Sequence, residues 1–416
     1  MAVVKPFRGI IYNTGLVEAG DVVAPPYDVI NERMQEELYR RSPYNIVRVI
    51  LGKDQPGDDE RNNKYTRARE FLDRWLGEGI LTQLPQEHFF AYHQSFSVNG
   101  QRFTRKAIVA RVRLEDFSSK VIIPHERTLS APKRDRLMLF KSTRMNLSPV
   151  FGIALDDGSV FSLIEASPKR LLFEFEDADG VSHSFYAMEP SVSEEIASAF
   201  SDKRILIADG HHRYETALNY KREMEAANPN HTGEEPYNYV MMAIVSSKDP
   251  GLVVLPIHRV IKNVEEERVK SAASAIESQF EKIREIKRED LFGITNELKG
   301  LGKRHFAHYE GPGGSIFRIG DDSQELDVVV LHNRVLHGVL GISEEEIREK
   351  RKIEYFKSIS DALEYLEKGG RMILSYIPPT VEEIASYSMS GRVMPQKSTY
   401  FFPKFYSGLV LYSLRD

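Results

Sequence analysis

The stretch from Ile205 to Leu218 constrains this chain most, because a polar turn within it joins a strand-like apolar run to a helix-like pattern. The apolar run ends at Asp209-Gly210, and two histidines and an arginine follow directly. A strand that turns sharply into a helix directs backbone N–H groups and the positive end of the helix dipole at one point. The turn therefore predicts a phosphate-binding site made by Asp209, Gly210, His211, His212 and Arg213.

Composition narrows the classes of protein to which the chain can belong. Its 416 residues suffice for two or three domains at roughly 100–200 residues each. A net charge of −5 gives no basic footprint for nucleic acid, and no apolar run approaches the roughly 20 residues of a membrane span. The N-terminus carries no apolar signal-peptide segment, so we expect a cytoplasmic protein with no nucleic-acid or membrane partner. The lack of cysteine excludes thiol nucleophiles, disulfides and cysteine-ligated zinc.

Hydrophobic periodicity and turn signals predict a mixed α+β fold without regular alternation of strands and helices. Asn99-Gly100 separates two alternating runs and predicts a hairpin. Apolar spacing predicts helices over 62–76, 264–281 and 326–338, whereas residues 1–50 are expected to form short strands and loops. The motifs divide the chain into three regions: an N-terminal α+β region (1–120), a core that carries the turn (121–260) and a C-terminal α+β region that closes the site (261–416).

A second polar cluster, Pro124-His-Glu-Arg-Thr128, follows the strand-like run Val121-Ile-Ile123. A glutamate at a strand end near basic residues is suited to remove a proton from a hydroxyl group. Glu126 is therefore a candidate general base. The alternative is a solvated charged loop without a catalytic role, and the residues alone leave both interpretations open.

A third cluster lies between Met394 and Lys404, where two prolines frame a loop. Lys397, Ser398 and Thr399 offer three successive hydrogen-bond donors for a phosphate or a carboxylate. A plain C-terminal edge strand is an equal alternative.

Three further polar residues stand outside these clusters. Arg144 is a candidate for binding an anionic group of a substrate, although arginines of this kind more often pair with surface carboxylates. His332 and His337 fall in a helical pattern, and we assign them a structural role.

Several motifs together resemble one protein family over nearly the whole chain. The family is called domain of unknown function 1015, and the resemblance rests on Pro6-Phe-Arg-Gly9, Val22-Val-Ala-Pro-Pro-Tyr-Asp-Val29, Pro43-Tyr-Asn-Ile-Val-Arg48, Asp209-Gly-His-His-Arg-Tyr-Glu-Thr216 and Met394-Pro-Gln-Lys-Ser-Thr399. The turn at 209–213 is also similar to the signature of the ParB/sulfiredoxin-like fold. That resemblance implies a ParB/sulfiredoxin-like core with mixed sheets. Because His211 stands where sulfiredoxins have cysteine, sulfiredoxin chemistry is excluded.

The order of three motifs is similar to that in the ADP-dependent free-serine kinases of the same superfamily. The resemblance implies that Glu126 is the catalytic base and that Asp209 and His211 act at the reacting phosphate. It also implies that the loop with Lys397, Ser398 and Thr399 binds the substrate. A carboxylate on the acceptor would need a cation, and Arg144 is a candidate for that cation. Phosphoryl transfer of this kind would use ADP or ATP as co-substrate and Mg²⁺ as the cofactor that neutralises charge. Asp209 could hold this ion as a metal ligand or could instead orient a histidine.

This chain also departs from the kinase pattern. Glu126 and Asp209 are 83 residues apart, a wider gap than in the kinases. The first 120 residues have no counterpart there, and Tyr400 and Phe401 stand where the kinases have arginine and histidine. These departures concern the identity of the substrate more than the type of reaction.

The resulting hypothesis is a kinase that transfers a phosphoryl group between a nucleotide and a small hydroxyl compound, such as free serine or phosphoserine. One alternative is a metal-dependent phosphohydrolase that uses Asp209, His211 and His212 with water as acceptor. The other is a nucleotide-binding regulator without catalytic activity. The sequence leaves open the acceptor, the choice between ADP and ATP, and the oligomeric state.

Overall fold

The computed structural model describes residues 1–127, 130–320 and 325–415, and of residues 130–132 it describes the backbone alone. Contacts group the chain into two compact units. The first contains Met1–Val253 together with the tail Pro403–Asp416, and the second contains Val254–Phe402. The sequence division instead placed the tail with residues 261–416, and the three-region division stays a prediction.

Strands occur along most of the described part of the chain. In chain order they are β1 (Val4–Lys5), β2 (Ile10–Tyr12), β3 (Leu81–Gln83), β4 (Phe90–Val98), β5 (Gln101–Arg113), β6 (Ile122–Ile123), β7 (Met145–Asn146), β8 (Val150–Ala154), β9 (Lys169–Glu176), β10 (Ser182–Met188), β11 (Ile205–Asp209), β12 (Tyr239–Ser246), β13 (Val253–Leu255), β14 (His258–Lys262), β15 (Glu281–Ile286), β16 (His305–Tyr309), β17 (Gly314–Arg318), β18 (Ile353–Phe356), β19 (Gly370–Tyr376), β20 (Tyr400–Phe402) and β21 (Tyr412–Ser413).

Helices of very different length connect these strands. They are α1 (Ala19–Val22), α2 (Glu32–Arg41), α3 (Val47–Ile50), α4 (Lys64–Gly77), α5 (Ser130–Thr143), α6 (Ser159–Ala166), α7 (Ser193–Ala199), α8 (His211–Ala227), α9 (Glu266–Gln279), α10 (Arg288–Leu291), α11 (Ile294–Leu301), α12 (Asp327–Val330), α13 (Glu344–Arg348), α14 (Ile359–Glu367) and α15 (Val381–Met389), with short 3₁₀ turns at Tyr27–Val29, Phe117–Ser119, Pro190–Val192 and Pro236–Asn238 and a π-helix at Leu331–Val339. The predicted mixed α+β class is confirmed. Among helices in the described part of the chain, none is both long and apolar enough to cross a membrane.

The first unit is built on a mixed sheet with the strand order β6-β11-β8-β12-β5-β4-β10-β9, and β1 pairs with β5. The predicted hairpin is confirmed as β4 and β5, which pair in antiparallel register from Phe90 opposite Val109 to Val98 opposite Gln101. Asn99 and Gly100 form its turn with φ angles of 50° and 77°. Strand β11 pairs parallel with β6 and antiparallel with β8, so the turn after β11 lies beside the end of β6.

Two apolar cores stabilise this unit. One lies against the sheet and includes Ile205, Ile207 and Tyr214, so that β11 and α8 are both anchored in it. The other joins the N-terminal helices and includes Leu72 and Trp75.

The second unit has an antiparallel sheet with the strand order β15-β17-β16-β19-β14-β18. Its core contains buried side chains from the sheet and from α10, α11 and α14, including Val260, Ile316, Leu298 and Leu363. The predicted long helix over 264–281 is confirmed as α9.

Two of the secondary-structure predictions differ from the structure. The expectation of strands and loops over residues 1–50 is wrong for the short helices α1 and α3 and for 32–41, which form the longer helix α2. Asn31 accepts a hydrogen bond from the backbone N–H of Met34 at 2.9 Å and so caps this helix, while Leu38 is its buried residue. The helix predicted over 326–338 begins as α12 but continues as the π-helix, a change of hydrogen-bond spacing that apolar periodicity does not reveal.

Replacing Leu72 with alanine should test the N-terminal core. Leu72 is fully buried, so Leu72→Ala should lower the free energy of unfolding by about 2–5 kcal/mol through lost burial and a cavity. Trp75 is the only tryptophan in the chain and lies in the same core, so its fluorescence in a urea titration reports on the first unit. Leu16 is 59% exposed, and Leu16→Ala is the matched control that should change little. Equal effects of the two variants would contradict this description of the core.

Candidate functional site

The turn predicted to bind phosphate has the backbone geometry of a strand-to-helix junction. Strand β11 ends at Asp209, and α8 begins at His211. Gly210 lies between them with a φ of 88°, a conformation that glycine adopts without the steric cost of a Cβ. A Cβ at this position would also lie 2.8 Å from Nη2 of Arg213. The glycine therefore allows α8 to direct its first N–H groups at the turn.

Asp209 is held between two cations. Lys404 donates from Nζ to Oδ1 of Asp209 at 2.7 Å, and Arg213 donates from Nη2 to Oδ2 at 2.7 Å. Arg213 also donates to the carbonyl oxygen of Pro149. Arg213 and Lys404 thus bring two positive charges to the N-terminus of α8, where the positive end of the helix dipole adds to them. The local field therefore favours an anion.

The structure brings the second predicted cluster to this turn. The backbone N–H of His125 donates to Nε2 of His211 at 3.2 Å, and Nδ1 of His125 donates to the carbonyl oxygen of Ile207 at 2.5 Å. The two imidazole rings also meet edge to face, with centroids 4.6 Å apart. Glu126 is the next residue along the chain and is half-buried. Two motifs that are far apart in sequence therefore meet at one place in the first unit.

Burial keeps both of these histidines uncharged at neutral pH. Desolvation lowers the pKa of His125 to about 4. It also lowers the pKa of His211 well below its ordinary value, and the neighbouring His125 adds to that effect. Since Nε2 of His211 accepts a hydrogen bond, the proton of the neutral ring is on Nδ1. His211 can therefore donate one hydrogen bond, but it adds no positive charge.

A buried arginine positions Lys404. Arg105 in β5 is fully buried and donates to the side chain of Gln94 and to the carbonyl oxygen of Pro403. Gln94 in turn donates to the carbonyl oxygen of Lys404 at 2.9 Å. The guanidinium also lies over the ring of Phe405, 4.4 Å from its centroid. The tail is thus fixed on both sides of Lys404, which places its ammonium group against Asp209.

A small cavity of about 50 Å³ adjoins the turn within the first unit and is lined in part by Arg213. Arg136 also lines it and stacks on Tyr27, with its guanidinium 4.0 Å from the ring centroid. Asn146 contributes a buried amide whose Nδ2 has no hydrogen-bond partner among the described residues. An unsatisfied buried donor beside two guanidinium groups suits a small anionic group.

Arg144 is not brought to the turn. Helices α5 and α8 run parallel, since Lys133 contacts Glu215 at 2.7 Å and Lys141 contacts Glu223 at 2.6 Å. Arg144 follows the C-terminal end of α5, a 14-residue helix whose ends are about 20 Å apart at 1.5 Å per residue. Its exposed side chain therefore lies toward the other end of α8 from Asp209.

The third predicted cluster belongs to the second unit. Lys397 is exposed and has a positive φ of 57°, and its carbonyl oxygen accepts a hydrogen bond from Arg259 at 3.1 Å. Ser398 and Thr399 are buried, and the hydroxyl of Ser398 donates to the carbonyl oxygen of Pro395 at 2.6 Å. The assignment of these three residues to substrate binding stays a prediction.

Comparison with known proteins identifies the family. The family model described as "Protein of unknown function (DUF1015)" matches residues 4–389. The chain belongs to this family. No curated protein matches it.

Solved structures of modest similarity cover most of this DUF1015 chain. A free serine kinase mutant in complex with ADP is 15% identical, with a TM-score of 0.40, covering 72% of this chain and 88% of the other. A conserved hypothetical protein from Pyrococcus furiosus is also 15% identical, with a TM-score of 0.37, covering 72% of this chain and 93% of the other. SbnI with a C-terminal truncation, from Staphylococcus aureus, is 11% identical, with a TM-score of 0.35, covering 71% of this chain and 84% of the other.

Two residues near the turn, Lys404 and Arg105, have roles that depend on distant contacts and were not predicted from the sequence. Lys404, at the end of the third cluster, had no predicted function, because its partner Asp209 lies 195 residues away in the sequence. Arg105 carried one available signal, because a charged side chain at a buried position of an alternating strand requires a partner.

The pH dependence of stability should reveal the buried histidines. The pKa of His125 is depressed in the folded protein. The contribution of this residue to the free energy of unfolding is therefore fully present above about pH 6.5 and is lost as the pH falls toward 4. Between pH 7 and pH 5, protonation of this residue in the unfolded chain should lower the free energy of unfolding of the first unit by about 2 kcal/mol, at 1.36 kcal/mol per pH unit below 6.5. The variant His125→Gln should show a shallower decline over the same range. Urea titrations followed by Trp75 fluorescence measure this difference, and parallel curves for the two proteins would refute it.

Proposed function

We propose that this protein transfers a phosphoryl group between a nucleotide and a small hydroxyl compound. The observation that carries the proposal is the hydrogen bond from the backbone N–H of His125 to Nε2 of His211 at 3.2 Å. It attaches the strand end bearing Glu126 to a cationic helix N-terminus. This attachment supports a site in which the carboxylate of Glu126 accepts a proton beside the bound phosphates.

The phosphate end of the nucleotide would bind at the turn. The first N–H groups of α8, the side chains of His212 and Arg213 and the ammonium group of Lys404 would supply the donors. His211 would donate one further hydrogen bond from Nδ1. Because this cradle is held by Gly210 and by ion pairs with Asp209, little reorganisation is needed when negative charge moves during transfer.

The transfer step is an in-line displacement at phosphorus. The acceptor's oxygen forms the new O–P bond, and the bond from phosphorus to the bridging oxygen of the nucleotide breaks. The electron pair of that bond remains on the departing nucleotide phosphate. Glu126 takes the hydroxyl proton. In the reverse direction the protonated Glu126 returns the proton to the acceptor oxygen.

The small cavity beside Arg213 is the place we propose for the acceptor. Arg136, Arg213 and the unsatisfied amide of Asn146 in its lining suit a carboxylate group of such an acceptor. A hydroxy acid such as serine has the required groups. The proposal thus gives Arg136 and Asn146 the part that the sequence hypothesis gave to Arg144.

Magnesium is the ion expected for phosphoryl transfer, but a protein-bound ion at Asp209 does not fit this arrangement. Both carboxylate oxygens of Asp209 accept hydrogen bonds from cations, Lys404 and Arg213, at 2.7 Å. A divalent cation would have to displace both. No step of the proposed transfer is therefore assigned to a metal held by Asp209.

The substitution Glu126→Gln should test the proposed base. It removes the proton acceptor but keeps the size of the side chain, so turnover should fall by about 10²–10⁴-fold. Nucleotide affinity should stay within a few-fold, because the turn is unchanged. The assay is phosphoryl transfer from ADP and ATP to a panel of small hydroxyl compounds that includes serine, with nucleotide affinity from calorimetry. Glu189→Gln changes an exposed glutamate of the same unit and is the control.

Two results would contradict the assignment of kinase activity. One is wild-type turnover in Glu126→Gln with any acceptor that the native protein uses. The other is full-rate release of phosphate from phosphoserine in the absence of nucleotide, which indicates a phosphohydrolase. Tight nucleotide binding without turnover of any acceptor would instead indicate a regulator.

The cavity assignment predicts a selective change in substrate affinity. Asn146→Leu removes the unsatisfied amide donor, so the KM for an anionic acceptor should rise by roughly 10-fold, the equivalent of one charge-assisted hydrogen bond. Nucleotide affinity should not change. Ser148 lines the same cavity but its hydroxyl pairs with that of Ser407 at 2.6 Å, so Ser148→Ala is the control. An unchanged KM in Asn146→Leu would remove this cavity from consideration.

A further inference from the structure

Three side chains of the second unit converge at one point, away from every residue of the proposed kinase site in sequence. Nε2 of His332 lies 2.8 Å from Oε1 of Glu344, and Nε2 of His337 lies 3.2 Å from the same oxygen. The two Nε2 atoms are 3.0 Å apart. Two imidazole nitrogens and a carboxylate oxygen are ligands typical of zinc and related transition metals.

The triangle of ligand atoms has the size that a metal ion requires. An ion at about 2.0–2.1 Å from all three atoms, the usual zinc distance, would sit about 1 Å above their plane. In ideal tetrahedral coordination the ligand atoms are about 3.3 Å apart, so each needs to move outward by only a few tenths of an ångström. No backbone rearrangement is needed to bind the ion.

The tautomer of His337 favours ligation. Its Nδ1 contacts the carbonyl oxygen of Ile342, which can only accept a hydrogen bond, so Nδ1 carries the proton. In the neutral ring, Nε2 then presents its lone pair toward His332 and Glu344. A histidine that donates one ring N–H to a backbone carbonyl and offers the other nitrogen is the usual arrangement around protein-bound metals.

Local backbone geometry explains how the two histidines meet. Residues five apart in an α-helix are separated by about 140° around the axis, because each residue adds about 100°. His332 and His337 lie instead in the π-helix Leu331–Val339, whose i to i+5 hydrogen-bond spacing stacks them on one face. The rings meet edge to face with centroids 4.6 Å apart. π-Helical segments are rare in proteins, and many of those that occur lie at functional sites.

We propose that His332, His337 and Glu344 form a binding site for a divalent transition metal, with zinc as the ion that fits best. The ion would join the π-helix to α13, which carries Glu344. His332 is buried while the side chain of Glu344 is 64% exposed, so the fourth coordination position faces the open side and takes water. The proposal does not depend on the kinase assignment.

Zinc titration of the full-length protein tests the site. Wild-type protein should compete with a chromophoric zinc indicator for one ion, and Glu344→Gln and His337→Asn should each weaken this binding at least about 10-fold, the smallest effect expected even for an outer-shell partner. The matched controls are Glu345→Gln, whose side chain is 61% exposed on the same helix, and His305→Asn in the same unit. The controls should bind zinc like the wild type.

Cobalt provides a second measurement that a folding defect would not imitate. Cobalt-loaded wild type should show the visible absorption of a four-coordinate site, and Glu344→Gln should lose it while its far-UV circular dichroism stays unchanged. The proposal is overturned if Glu344→Gln and His337→Asn bind zinc as tightly as their controls, or if the cobalt spectrum persists in Glu344→Gln.

Discussion

The candidate site depends on the hydrogen bonds of one buried group, the guanidinium of Arg105. It lies in the central hairpin of the first unit, where it is fully enclosed, and it binds the carbonyl oxygen of Pro403 and the side chain of Gln94. Burying this charge without partners would cost several kcal/mol, so the tail must take one position on the sheet. That position places Lys404 against Asp209, at the end of a different strand. The most distant part of the sequence thereby completes the turn.

The chemistry of the turn follows from which of its polar groups carry charge. His125 and His211 are buried and neutral, so they fasten the strand end to the turn through hydrogen bonds. Arg213 and Lys404 carry the positive charge, and Asp209 orients both of them. A sequence with two adjacent histidines suggests that the histidines are the anion-binding groups. Because His211 is buried and neutral, it positions the turn and can donate one hydrogen bond, whereas Arg213 and Lys404 carry the positive charge.

Elements with a strong local signal were predictable. The hairpin at Asn99-Gly100 follows from backbone angles that only a few residue types adopt, and α9 follows from its apolar spacing. The strand-to-helix turn at Asp209–Arg213 was also predictable, because an apolar run ends there and a helical pattern begins. The π-helix was not, because its histidines five apart fit no α-helical face. Helix α2 was missed although Asn31 is a recognisable cap.

The sequence alone determined the family, the mixed α+β class and the residue types of the turn, because these depend on local order and composition. Tertiary structure decided which distant groups surround the turn. It brought His125, the neighbour of Glu126, to His211, placed Lys404 against Asp209, left Arg144 near the other end of α8, and joined His332, His337 and Glu344. The physical reason is that strand pairing, burial of charged groups and hydrogen-bond satisfaction act between residues far apart in the chain, where sequence spacing carries no information about distance.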